Sequence, residues 1–94
     1  MREQRFKSVW DAIESSPAAA ANMKARSDVL IAICKVVSGW NVTQAEAAKR
    51  LGISQPRMND LLRGRIDKFS LDMLMTLASR AGLSVRVKVA KAAA

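Results

Sequence analysis

Apolar residues recur at helical spacing in five stretches of the chain and at strand spacing in one, with breakers or capping residues between them. Phe6, Val9, Trp10 and Ile13 stand at i, i+3, i+4 and i+7, which predicts a short helix that Ser15-Ser16-Pro17 breaks. Pro17 and Ala18–Ala21 open a second helix, since proline is tolerated in a first turn. Its stripe is Val29, Leu30, Ile33, Val36 and Val37, its charges Lys24, Arg26, Asp28 and Lys35 lie elsewhere, and it is expected to end near Gly39. Thr43 followed three residues later by Glu46 is a capping-box signature, after which Ala47, Ala48 and Leu51 face inward and Gly52 stops the helix. Ser54 caps the next helix, with Pro56 in its first turn, Met58, Leu61 and Leu62 as its apolar face and Gly64 as its end. Ser70 caps the last one, whose face is Leu71, Leu74, Leu77, Ala78 and Ala81, before Gly82.

The period then changes from helical to alternating. Ser84-Val85-Arg86-Val87-Lys88-Val89 reads as a β-strand with one wet and one dry face. A lone strand cannot satisfy its own backbone, so it needs a partner. The same strand in a second copy, antiparallel about a two-fold axis, is the simplest one, with Val85, Val87 and Val89 as the dimerisation residues of a homodimer. The chain thus divides into an N-terminal segment (residues 1–20), a helical domain with the strand (21–89) and a tail (90–94). The expected fold is mainly α, a bundle of four to five helices with one C-terminal β-strand. The first short helix has two readings: its face packs on the domain's own core, or it docks in the groove of another protein.

Composition narrows the chemistry. The 94 residues include no histidine and one cysteine, Cys34. That excludes imidazole catalysis, His-based metal sites, an internal disulfide and a cysteine cluster. Cys34, beside the stripe of the second helix, reads as a small core or boundary residue. The serines have no base in reach and the acidic residues lack the spacing of a chelating loop, so neither an enzyme nor a metal or cofactor is expected. The charged start lacks the uninterrupted apolar core of a signal peptide, and the longest strongly apolar run, Val29–Cys34, is too short to span a membrane. A cytoplasmic protein without a membrane partner is expected.

The net charge of +8 attracts polyanions of any kind, nucleic acid first among them. Residues 49–68 hold Lys49, Arg50, Arg57, Arg63, Arg65 and Lys68 against only Asp60 and Asp67. The same stretch contains two short helices joined by Gly52-Ile53 alone. Helices joined this tightly cross steeply, which is the geometry of a helix-turn-helix whose second helix enters the major groove of DNA.

At these residues the chain resembles a known family. TQAEAAKRLGISQPRMNDLLRGRIDKFSLDMLMTLASRAG is similar to the helix-turn-helix of phage-repressor-like, XRE/Cro-type regulators. With LLRGR, FSLDML and the terminal alternating strand, it resembles more narrowly the HigA-type antitoxins of bacterial type II toxin–antitoxin systems. The likeness runs from about Met23 to Val89. It implies a phage-repressor-like bundle and a set of DNA contacts. Thr43 and Gln44 open the scaffold helix, where a glutamine holds a backbone phosphate. Ser54, Gln55 and Arg57 lie in the first turn of the recognition helix; arginine pairs with guanine and glutamine with adenine, at about 1–3 kcal/mol of discrimination each. Asn59 and Asp60 follow, Asp60 either accepting from a cytosine amine or tethering a neighbouring arginine. Arg63, Arg65 and Lys68 are expected on phosphates, and Met58 and Leu61 in the core. Pro56 departs from relatives that carry a polar contact there.

The implied function is an operator-binding repressor and antitoxin. Double-stranded DNA with inverted half-sites and a RelE-like mRNA-interferase toxin are its partners. Phe6, Val9, Trp10 and Ile13 would bind the toxin by apolar burial. A stand-alone or phage-type repressor, and an adaptor that no longer reads DNA, are the alternatives.

Overall fold

A computed structural model describes residues 16–91. Among these the chain forms four α-helices: α1 (Pro17–Trp40), α2 (Gln44–Leu51), α3 (Gln55–Leu62) and α4 (Leu71–Arg80), with a 3-10 turn (Ile66–Lys68) between the last two. The expected short helix with Phe6, Val9, Trp10 and Ile13 lies outside the described residues.

Each helix starts where a short polar side chain can satisfy an orphan amide. Ser16, Thr43, Ser54 and Ser70 accept from the backbone N–H three residues on, at 3.0, 3.1, 3.2 and 3.1 Å. Only half of the predicted capping box is made: Thr43 accepts from Glu46 N–H, but the Glu46 carboxylate turns to Arg50, 3.6 Å away. Because Ser16 caps α1 and Pro17 is its first residue, residues 17–20 belong to that helix and not to the segment before it. The far end of α1 also differs from expectation. Gly39 stays inside the helix, and Asn41, at φ 56° and ψ 43°, adopts the left-handed conformation that ends it. Asparagine tolerates that conformation better than other side-chain-bearing residues, so the glycine two positions earlier is not needed.

The turn of the motif is built on Gly52. Its φ of +70° lets its N–H reach Lys49 O at 3.1 Å and the Ile53 N–H reach Ala48 O at 3.0 Å, which closes the last turn of α2. The same pair of bonds ends α3 (Gly64 to Leu61 O, Arg65 to Asp60 O) and α4 (Gly82 to Ser79 O, Leu83 to Ala78 O).

The core is wholly apolar among the described residues. Leu30, Ile33 and Val37 of α1 meet Ala47, Ala48 and Leu51 of α2, Met58 and Leu61 of α3, Phe69, and Leu74, Leu77 and Ala78 of α4. α1 lies along α4, while α2 packs on α3. Alanine at 47 and 48 lets α2 come close to its neighbours, and each buried large side chain contributes roughly 1.5–3 kcal/mol. Leu62, expected on the inner face of α3, is instead 44% exposed. It stands about 100° round the helix from Leu61, and Met58 already fills the inner side.

The expected C-terminal strand is not formed within one copy. Residues 83–91 carry no regular secondary structure, and beyond Leu83 no backbone–backbone hydrogen bond is made among the described residues. Leu83 and Val85 pack on the core, whereas Val87 and Val89 are 72% and 89% exposed. Together with α1 and α4, this segment borders an apolar groove of about 460 Å³ whose walls include Val29, Ala32, Met75 and Val85.

Candidate nucleic-acid interface

α3 presents two unlike stripes. Met58 and Leu61 are fully buried and anchor it. Gln55, Pro56, Asn59 and Arg63 are exposed, and Gln55, Asn59 and Arg63 succeed one another at i, i+4 and i+8. Side chains at that spacing stand above one another, so they form a single outward row. Pro56 beside Gln55 in the first turn provides no hydrogen-bonding group to that row.

The remaining residues expected at the interface divide by what already holds them. The hydroxyls of Thr43 and Ser54 accept from Glu46 and Arg57 N–H, so both act as caps here. Gln44 is half-buried in the first residue of α2. Asp60 is half-buried and its Oδ1 lies 3.9 Å from Nε of Arg65, which favours the tethering alternative over a base contact. Arg63 and Lys68 are exposed and have no ion pair among the described residues. Arg57, expected as a reader, is half-buried and folded back over the following loop: it donates to Lys68 O at 2.9 Å in an exposed bond, and its guanidinium lies 5.6 Å from the Phe69 ring centre.

Sequence reasoning missed three other arginines. Arg26 of α1 donates to Asn22 Oδ1 at 2.7 Å, and to Ile66 O and Phe69 O at 3.3 and 3.4 Å. Arg80 of α4 donates to Leu51 O at 2.9 Å, at the C-terminal end of α2, where a cation also meets the negative end of the helix dipole. Arg50 lies over the Trp40 ring at 5.0 Å, which ties α2 to the end of α1. The sequence offers no signal for Arg26 or Arg80, because the carbonyls of residues 66, 69 and 51 that they reach are at least 29 positions away.

Cys34 is half-buried and its Sγ lies 3.4 Å from Leu61 O. Burial pushes its thiol above the usual range, as befits a boundary residue. Among the described residues no group of three or more histidine, cysteine, aspartate or glutamate side chains is placed to hold a metal. No described helix is long and apolar enough to cross a membrane.

A short scaffold helix, a three-residue turn (Gly52, Ile53 and the capping Ser54) and a second helix with one polar face outward are the parts of a DNA-reading unit. A family described as a helix-turn-helix domain matches residues 12–90. A solved structure assigned to the XRE family of transcriptional regulators is similar to this chain at 30% identity and a TM-score of 0.71, over 78% of this chain and 82% of the other. The chain belongs to the XRE-type helix-turn-helix family. Among curated proteins, none matches it. As an XRE-type regulator the chain binds DNA, and α3 is the second helix of its motif.

Proposed function

We propose that this XRE-type regulator is a dimeric, cytoplasmic repressor that reads an operator of inverted half-sites. We further propose that it is the antitoxin of a type II toxin–antitoxin pair. The observation that carries the DNA reading is the outward row Gln55, Asn59 and Arg63, backed by fully buried Met58 and Leu61. Gln55 and Asn59 have the paired donor and acceptor that match adenine, and Arg63 reaches guanine or a phosphate. Gln44 and the free amides at the start of α2 suit one backbone phosphate, and Arg65 and Lys68 suit others.

The dimer rests on the C-terminal segment. Val87 and Val89 are exposed in an unpaired stretch whose backbone has no partner in its own chain among the described residues. Pairing with a second copy supplies those hydrogen bonds and covers both valines. Two recognition helices then address half-sites about 10 base pairs apart.

The antitoxin role rests on the sequence likeness from Met23 to Val89 and on the stripe Phe6, Val9, Trp10 and Ile13, which lies outside the described residues. In this reading the stripe binds a RelE-like mRNA-interferase toxin, and the DNA-bound dimer represses the operon of both proteins.

A gel shift on the DNA upstream of its own reading frame tests the proposal with three chains: full length, truncated after Leu83, and lacking residues 1–16. The full chain should give a shifted band whose affinity falls steeply with salt, log K dropping with a slope of about −0.9 per phosphate neutralised. Truncation after Leu83 should yield monomers with much weaker binding. Removal of residues 1–16 should spare DNA binding and abolish capture of the toxin encoded beside it. Equal affinity for upstream and scrambled DNA would refute the operator reading. Toxin capture unaffected by that deletion would refute the antitoxin reading.

A further inference from the structure

Arg57 has the residue type of a base reader but stands on the wrong stripe of α3 for one. One turn after it on the same stripe comes Leu61, which is fully buried, whereas the outward row is Gln55, Asn59 and Arg63. The Arg57 guanidinium donates to Lys68 O at 2.9 Å and rests against the ring of Phe69, a residue only 2% exposed. Arg26 on α1 donates to Ile66 O and Phe69 O of the same loop. Two arginines from two helices thus hold the carbonyls of residues 66, 68 and 69. That loop has one 3-10 turn as its regular structure and carries Arg65 and Lys68. Without the clasp, long flexible cations on such a loop would sample many directions, and fixing them would cost binding free energy.

We propose that Arg57 is a positioning residue: it fixes the loop after the recognition helix so that Arg65 and Lys68 meet DNA phosphates, and it reads no base itself. This rests on the assignment of α3 as the recognition helix. To reach a base edge, Arg57 would have to give up both a charge-assisted hydrogen bond and its ring contact. Arg63, at the end of the outward row, has neither tie.

The test uses the full chain, Arg57→Lys, which keeps the charge but loses the planar fork, and Arg57→Met, which keeps the packing stem alone. Two duplexes are compared by fluorescence anisotropy over a salt series: one selected by the wild type from a random pool, and a scrambled duplex of equal composition. Positioning predicts that Arg57→Lys weakens both duplexes by the same factor, about eightfold at 0.1 M salt for each phosphate no longer neutralised, with a salt slope shallower by about 0.9 per phosphate. A role in folding alone would leave that slope unchanged in the folded variant, and would overturn the proposal. A base-reading role would lower affinity for the selected duplex alone, by roughly 5- to 150-fold, and would overturn it too. Hydrogen exchange of the free protein supplies an arm without DNA: amides of residues 64–69 should exchange faster in both variants. Exchange as slow as in the wild type would also overturn the clasp. A wild type that retained no duplex would instead refute the recognition-helix assignment, with the exchange arm still deciding the clasp.

Discussion

The turn between α2 and α3 couples two residues 28 positions apart, and Gly52→Ala exposes that coupling. At Gly52 the backbone holds φ at +70°, and an added Cβ would stand 2.7 Å from Nη1 of Arg80. That same nitrogen donates to Leu51 O at 2.9 Å. The substitution therefore carries two costs. The left-handed backbone costs an alanine about 1 kcal/mol. The clash falls on the flexible end of Arg80 and not on backbone, so the guanidinium moves off and its hydrogen bond is lost. A bond from a charged donor contributes roughly 1.5–3 kcal/mol, and the exposure of Arg80 places this one at or below about 1.5. Gly52→Ala should then cost about 2.5 kcal/mol and lower the melting temperature by about 10–20 °C. Arg80→Ala alone should cost about 1.5 kcal/mol. The double variant loses the bond once, so it should cost about 2.5 kcal/mol where independent effects would sum to about 4. Urea unfolding of the four proteins, followed by circular dichroism, measures the difference directly. Additivity within about 0.5 kcal/mol would show that Arg80 does not hold the end of α2, and would refute the reasoning.

Three further outcomes follow from buried or exposed groups elsewhere. Phe69→Ala removes a fully packed ring that also backs Arg57, and should cost about 3–5 kcal/mol in urea unfolding; a loss below about 1 kcal/mol would contradict its place in the core. Burial raises the Cys34 thiol pKa in the folded protein, so the native state holds its proton more tightly than the unfolded chain. Its contribution is therefore complete below the ordinary thiol range and lost as pH rises through and above it, and the alkaline fall in urea midpoint should be smaller in Cys34→Ala than in the wild type. Val87→Asp, at a side chain 72% exposed in one copy, should leave the helical circular dichroism intact while sedimentation equilibrium reports the monomer mass. A surviving dimer would count against pairing through this segment.

Much of the fold is legible in the residues because its signals are local. Ser16, Thr43, Ser54 and Ser70 cap helices through amides three positions away, and Gly52 closes α2 through carbonyls within five. The apolar stripes of α1, α2 and α4 follow from helical period in the same way, and they place Ile33, Leu51 and Leu74 in the core. Where two local signals compete, the residues alone mislead. Gly39 looks like a helix end, but Asn41 takes the left-handed conformation; Leu62 looks apolar and inward, but its angle on α3 turns it out.

The candidate interface divides along the same line. Sequence alone determined that two short helices meet at a tight turn on Gly52, that basic residues gather around the second, and that Gln55 and Asn59 open its polar face. Each of those facts depends on neighbours within a turn or two. Only the tertiary structure decided which charged groups are tied within the chain and which are left in water. Arg26, Arg57 and Arg80 donate to carbonyls 40, 11 and 29 positions away, and Asp60 faces Arg65 across the end of α3. Composition counts all of these arginines alike within a charge of +8. The packing of α1 and α4 brings loop and helix-end carbonyls to some guanidinium groups and leaves Arg63 in water, because contacts between distant segments exist only once the core has set their distance.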